Sequence, residues 1–301
     1  MFENANLRGA AFMILSMAGF AVEDMLLKTA SRVMPIGQAV LIVGLCGMAV
    51  FALMARRMRE PVFHPALLTR GLAIRSGFEV SGRLFYALAI ALTPLSTTSA
   101  ILQASPLVVV GGAALFFGER VGWRRWLAVV VGFVGVLIII RPGLDGFSAL
   151  SLLAVAGMLG FAGRDLATRA APKVMSNRQL GVAGFAMLAL AGAAILAFTG
   201  GAVLPDAKGV ALLAGTALFA VLGYHALTSA MRTGEIGFVT PFRYVRLVFA
   251  MALAMLLFGE RPDLATWLGS ALVVGSGIYT LIRGNRQKTR PLTNPATRLP
   301  Q

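Results

Sequence analysis

Met17-Ala18-Gly19-Phe20-Ala21-Val22-Glu23-Asp24 returns 141 residues further along the chain as Met158-Leu159-Gly160-Phe161-Ala162-Gly163-Arg164-Asp165. The same offset carries Leu115-Phe116-Phe117-Gly118-Glu119-Arg120 onto Leu256-Leu257-Phe258-Gly259-Glu260-Arg261. It also carries Trp126-Leu127 onto Trp267-Leu268, and Phe78 and Gly82 onto Phe219 and Gly223. Separated blocks that share one offset without a gap mark an internal duplication. The material between the blocks is apolar, in runs near the ~20 residues that a helix needs to cross about 30 Å of hydrocarbon. Such runs fall near 9–29, 36–55, 70–91, 94–117 and 124–141, and again near 148–168, 180–199, 208–231, 236–258 and 264–283. Backbone groups in lipid must be satisfied within each span, so the runs are helices; a membrane barrel would instead show alternating segments of about ten residues. An odd number of spans per copy turns the second copy over relative to the first. The expectation is an all-α integral membrane protein of ten transmembrane helices, built as two inverted five-helix repeats at 1–144 and 145–285, with a disordered basic tail at 286–301. Inverted repeats of this kind are the signature of secondary transporters.

Composition agrees. Of 301 residues, 58% are hydrophobic and 13% charged, against roughly a quarter charged in soluble domains. The net charge of +15 would point to nucleic acid in a soluble chain. Here topology accounts for it: if the N-terminus and every second loop share one side, that side holds 17 of the 27 Lys and Arg residues and the opposite side holds five. The positive-inside rule then places both termini in the cytoplasm, and nucleic acid is dropped as a partner. The N-terminal run enters Glu23-Asp24 with no small-residue cleavage site, unlike a signal peptide. One cysteine, Cys46, and two histidines, His64 and His225, exclude a disulfide framework and leave no zinc set. No cofactor is expected.

The two units, each with a Phe-Gly-Glu-Arg corner before its last helix, resemble the EamA family of the drug/metabolite transporter superfamily over about residues 7–285. Within it, Ala21-Val22-Glu23-Asp24, Phe161-Ala162-Gly163-Arg164-Asp165, Pro94-Leu95-Ser96-Thr97-Thr98-Ser99-Ala100 leading to Pro106, and Thr240-Pro241-Phe242-Arg243-Tyr244 are similar to the bacterial branch of riboflavin and S-adenosylmethionine importers. The resemblance implies the ten-helix fold and a place in the bacterial inner membrane, with both exporters and importers among its members.

Ionisable side chains inside spans are costly and by default functional candidates. Arg75, Glu79 and Arg83 stand at i, i+4 and i+8 and share one helix face with Tyr86 close by; they either line a cavity or form an internal ion network. Arg243, Tyr244 and Arg246 follow Thr240-Pro241, where proline frees a carbonyl and kinks the helix, so that a discontinuous helix can present guanidinium and phenol groups to a substrate. Ser105-Pro106 offers a similar break beside Gln103. Tyr224, the repeat partner of Arg83, and His225 make that level polar in both halves. These ten, Arg75, Glu79, Arg83, Tyr86, Gln103, Tyr224, His225, Arg243, Tyr244 and Arg246, form the expected substrate site.

Asp24 and Asp165 each precede a base by four residues (Lys28, Arg169) and either pair with it or, with Glu23, act in gating or proton coupling. Glu119 and Glu260 are expected to be corner residues: Gly118 and Gly259 end a helix and the acids begin the next one. Glycine patterns such as Gly132-x-x-Gly135 serve close helix packing.

With no Gly-x-x-x-x-Gly-Lys-[Ser/Thr] loop for ATP, a secondary transporter is the first reading and no enzyme is expected. An intramembrane serine hydrolase would need a base within reach of Gly275-Ser276-Gly277, and only His225 offers itself. A passive channel gives no reason for buried charges of both signs. Several arginines and tyrosines suit a planar metabolite with polar or anionic groups, and riboflavin import leads, ahead of S-adenosylmethionine uptake or the export of amino acids or related metabolites. The expected partners are that small molecule and the bilayer, with the chain a monomer or homodimer.

Overall fold

The computed structural model describes residues 2–118, 121–141, 148–170, 175–233 and 236–288. Glu119, Arg120, Lys173 and the tail from 289 lie outside them, and of Arg169 only the backbone is described. The chain is helical, with no strand among the described residues: α1 (Phe2–Ala30), α2 (Ile36–Arg57), α3 (Arg70–Leu92), α4 (Leu95–Leu102), α5 (Ser105–Phe117), α6 (Trp123–Ile140), α7 (Ser151–Ala170), α8 (Asn177–Thr199), α9 (Ala207–Thr233), α10 (Ile236–Val239), α11 (Val245–Phe258) and α12 (Leu264–Lys288). The last helix runs past its expected end near 283, so residues 286–288 are helical rather than disordered.

Six stretches are long and apolar enough to cross a membrane: Ala5–Ala30, Ile36–Arg57, Leu95–Phe117, Asn177–Thr199, Ala207–Thr233 and Thr240–Phe258. Trp126–Ile140 and Leu264–Thr280 are apolar but shorter. Helices α3 and α7, at 23 and 20 residues, have the length but carry Arg75, Glu79 and Arg83, and Arg164 and Asp165, in their middles. Large side chains such as Leu115, Phe116, Phe198 and Leu256 stand bare on the outside, a surface that lipid covers and water would not favour.

Two expected spans are broken. Between α4 and α5 the helix lapses at Gln103-Ala104, with Pro106 in the first turn of α5. Between α10 and α11 a 3₁₀ turn, Thr240–Tyr244, contains Pro241. Proline has no amide to continue the ladder. Residues 103 and 244 are one repeat apart, and the two breaks meet where Gln103 bonds to the carbonyl of Arg243. Gly118 and Gly259 end α5 and α11 with φ of 63°, in the left-handed region where a side chain is strained.

Helices pair across the halves: α1 on α9, α3 on α7, α2 on α8 and α6 on α12. Shifting by 141 exchanges the first two pairs and returns the last two to themselves. Glycines permit the approach. A Cβ on Gly19 would lie 3.3 Å from Gly223 Cα, and a Cβ on Gly160 would lie 2.5 Å from Gly82 Cα; these two contacts are one repeat apart. On α6, Gly135 meets the backbone of Gly269 in α12. Tight backbone contact of this kind supplies the dispersion energy that holds helices together in lipid, where no hydrophobic force acts between them.

Outside the apolar segments, Glu60 ties the α2–α3 connection to the start of α8. Its carboxylate accepts from Ser176 Oγ at 2.6 Å and from Arg178, whose Nε lies at 3.1 Å. Those bonds, that of Arg178 first, hold the Glu60 carboxyl down at about 2. Asp263 caps α12 by accepting from Thr266 N at 2.9 Å and pairs with Arg141.

Candidate binding cavity

The two broken helices and their neighbours line a cavity of about 160 Å³. Positions 141 residues apart line it together: Phe20 and Phe161, Glu23 and Arg164, Arg83 and Tyr224, Tyr86 and Leu227, Leu102 and Arg243, Gln103 and Tyr244, Ser105 and Arg246. The breaks put side chains here that a continuous helix would not, and the carbonyl of Arg243, in the 3₁₀ turn, accepts from Gln103 Nε2 at 3.1 Å.

Two ion clusters flank the space. In the first, Arg246 Nη2 donates to Asp24 Oδ2 at 2.6 Å and to Tyr86 Oη at 3.3 Å, while Tyr86 Oη donates to Asp24 Oδ2 at 3.0 Å. The Arg246 guanidinium also lies over the rings of Phe20 and Tyr86, 5.3 and 5.7 Å from their centroids. This cluster joins α1 and α3 to α11 across the halves. In the second, Glu79, 1% exposed, is the hub for three arginines: Arg75 at 3.2 Å, Arg83 at 3.3 Å and Arg164 at 3.7 Å. Arg164 also pairs with Asp165 at 2.8 Å and lies over the Phe161 ring, and Arg75 Nε donates to Thr168 Oγ1 at 2.9 Å. Helices α3 and α7 are thus joined by charge where lipid would reject each charge alone.

Two charged groups lining the cavity are left over. Neither the Arg243 guanidinium nor the Glu23 carboxylate makes a hydrogen bond or ion pair with any described residue. The hydroxyl of Tyr244 is likewise buried without a hydrogen-bond partner.

One end of the bundle is tied together across the halves. Glu260 accepts from the amides of Leu95 and Ser96 at 2.8 and 3.0 Å and from Ser96 Oγ at 2.7 Å, with Lys28 Nζ 4.0 Å away. Lys28 donates to the carbonyls of Ile90 and Thr93 at 3.2 and 2.5 Å. Glu260 therefore caps the N-terminus of α4 in the other half, rather than beginning α12; free amides at a helix start are the stronger attraction for a carboxylate. Its counterpart Glu119 is outside the described residues.

The model of the EamA-like transporter family matches residues 7–141 and matches again over 147–282. The chain belongs to this family. Among similar proteins, a riboflavin transporter of Rhizobium johnstonii is 27% identical over 79% of this chain and 76% of the relative. An S-adenosylmethionine uptake transporter of Rickettsia bellii is 25% identical over 65% of this chain and 66% of the relative. A pseudopaline exporter of Pseudomonas aeruginosa is 29% identical over 88% of this chain and 93% of the relative. A solved crystal structure with 18% identity superposes with a TM-score of 0.62 over 95% of this chain and all of that one, which speaks for the fold. The protein is a multi-pass membrane transporter of the EamA family, and its substrate is a small molecule.

Of the residues expected in this EamA transporter's site, Arg83, Tyr86, Gln103, Tyr224, Arg243, Tyr244 and Arg246 line the cavity, as do Glu23 and Asp24. Arg75 and Glu79 do not line it; they are buried behind Arg83 in the ion network. Asp165 also stays off the cavity wall, on Arg164. His225 is exposed on the outer side of α9 and takes no part, because its neighbour Tyr224 already takes the inward face, packed against Phe51 and Phe185. The i, i+4 pairing of Asp24 with Lys28 does not form: each finds a partner on another helix. Arg164 was missing from the expected site although it stands in the repeated block opposite Glu23, and that pairing was the signal for it. The aromatic faces of Phe20 and Phe161, in the same block, were missed with it.

Proposed function

We propose that this EamA protein is a secondary transporter working by alternating access around the cavity, with ten membrane crossings arranged as two inverted five-helix units, residues 1–144 and 145–285, and both termini in the cytoplasm of a bacterial inner membrane. One observation carries the reading: the cavity is lined by repeat-related positions from both halves, on helices broken at matching positions of the repeat. In an inverted repeat, the substrate sits where the halves meet, and rocking one half against the other opens it to alternate sides. The Glu260 cap and the Asp24–Arg246 pair both join the halves, so opening one side must part or slide such contacts. Glu23, Asp24 and Asp165 are the carboxylates assigned to gating or proton coupling. One charge moved through 100 mV is worth about 2.3 kcal/mol, enough for roughly fifty-fold accumulation.

Riboflavin import is the favoured activity. The rings of Phe20, Phe161, Tyr86 and Tyr224 give faces for a planar ring system, Arg83, Arg164 and Arg243 offer donors to its carbonyls, and relatives named for riboflavin are among the matches. Export of an amino-acid-like metabolite is the second reading, favoured by the long match to the pseudopaline exporter; S-adenosylmethionine uptake is the third. The test is uptake of labelled riboflavin by riboflavin-auxotrophic cells expressing the protein, with unlabelled S-adenosylmethionine and aromatic amino acids as competitors. Saturable uptake blocked by flavins alone is expected. Uptake no greater than in control cells, with the protein present in the membrane, would overturn the flavin reading.

A further inference from the structure

The charges around the cavity do not cancel locally. Asp24 pairs with Arg246, while Glu79 and Asp165 share Arg75, Arg83 and Arg164, a group that keeps one net positive charge. Outside these clusters one cation, Arg243, and one anion, Glu23, stand on the wall of the same cavity, each without a hydrogen bond or ion pair to a described residue. Both side chains are half-buried on the cavity wall, so a ligand that displaces water from the cavity has to compensate each of them. Here the two do not pair with each other. Their positions also differ in kind: Glu23 comes from α1 in one half, Arg243 from the 3₁₀ turn in the other.

We infer that the substrate is amphoteric: it carries an anionic or carbonyl group for Arg243 and a hydrogen-bond donor or cation for Glu23 on the same molecule. The inference rests on the cavity being the transport site and sharpens what that site selects. A guanidinium offers five donors and no acceptor, and a carboxylate offers acceptors and no donor, so a ligand with only one kind of group leaves one wall charge uncompensated. The riboflavin ring edge meets the requirement, its imide setting an N–H between two carbonyls. A free amino acid group meets it too, with a carboxylate beside an ammonium. Lipophilic cations and simple anions do not.

The inference is tested on purified protein in lipid nanodiscs by ligand binding, with riboflavin, lumiflavin (ring edge intact, sugar-alcohol chain absent), 3-methylriboflavin (imide N–H blocked), S-adenosylmethionine and its carboxylate methyl ester. For whichever parent molecule binds, the blocked derivative is expected to bind about tenfold or more weakly, the size of one hydrogen bond to a charged group. Glu23→Ala should erase the difference between riboflavin and 3-methylriboflavin, whereas Arg243→Gln should weaken both alike. Lumiflavin should keep most of the affinity.

The arms separate the two claims. If riboflavin does not bind but S-adenosylmethionine binds tenfold better than its ester, the flavin reading fails and the amphoteric requirement stands. If riboflavin and 3-methylriboflavin bind equally, or if no amphoteric probe binds while a singly charged one such as tetraphenylphosphonium or benzoate does, the inference is overturned. Binding by no probe of either kind also counts against it, because two unpaired charges should then have attracted at least one.

Discussion

The two broken helices are the same device with different chemistry. At the α4–α5 break the residues turned to the cavity are Leu102, Gln103 and Ser105; at the α10–α11 break their counterparts are Arg243, Tyr244 and Arg246. Helix interruption and lining position are shared, while the first is neutral and the second carries two guanidinium groups. On the inward face of the repeated block the bias is reversed, with the carboxylate of Glu23 opposite the guanidinium of Arg164. Under the proposed alternating access, the near-symmetric backbone is the frame that rocks between two equivalent arrangements. Asymmetric side chains give that frame a substrate. A second contrast lies within the charges: those around Glu79 are paired and hold α3 to α7, whereas Arg243 and Glu23 are unpaired and stay available.

The largest expected effect comes from the asymmetric position itself. Arg243→Ala should lower saturable transport by about a hundredfold, the value of a charged, multiply hydrogen-bonded contact of about 3 kcal/mol. Thermal unfolding of the purified variant should be unchanged or raised, since a cation on the cavity wall with no ion pair to a described residue is removed. Leu102→Ala at the related position should change transport less than about threefold, being a loss of packing alone. Equal losses in the two variants would mean that the breaks serve the frame and not recognition.

Next is Glu79→Ala, which removes the hub and leaves three arginines facing one another. A loss of about 3–5 kcal/mol is expected for an opened buried pair, seen as a fall in monodisperse protein extracted from membranes. Arg83→Ala stands between the two cases, because Arg83 both lines the cavity and pairs with Glu79. It should lower transport strongly while inserting normally, with a smaller stability loss than Glu79→Ala. Unaltered flux in both Arg83→Ala and Arg243→Ala would remove the cavity as the transport site.

The sequence was most informative where charge or repetition is written into it. The apolar runs predicted where the helices lie and the offset of 141 related the halves, while the prolines at 106 and 241 predicted both interruptions and the glycines at 118 and 259 two helix ends. Partners across the fold were not legible. Asp24 has a base four residues away, yet it pairs with Arg246, which is 222 positions distant, because a contact between helices in a dry interior gains more than a flexible pair along one helix. Glu260 reads as the start of α12 for the same local reason, and it is claimed instead by the amides of α4. His225 looks as polar as Tyr224 in the sequence; which of two adjacent residues turns inward depends on helix rotation, and packing against Phe51 and Phe185 fixes that.

Smaller effects probe the ties between the halves. Glu260→Gln keeps one acceptor for the α4 amides and loses the charge, so a stability loss of about 1 kcal/mol is expected, with transport altered through the balance of open states. Smaller still is Glu60→Gln, remote from the cavity. Its carboxyl sits at about 2, below the usual 4.5, so its contribution is full above pH ~4.5 and fades as the pH falls towards 2. The variant should melt below the unaltered protein at pH 6, and the gap should narrow by pH 3. A gap that widens on acidification would contradict the Arg178 and Ser176 bonds as its cause.

The most direct test of a substrate cavity built from symmetric helices and asymmetric charges is labelled riboflavin uptake in auxotrophic cells, comparing the unaltered protein with Arg243→Ala at matched membrane levels. Saturable uptake in the first and uptake about a hundredfold lower in the second is the predicted result. Saturable uptake of the same rate and affinity in both would contradict it.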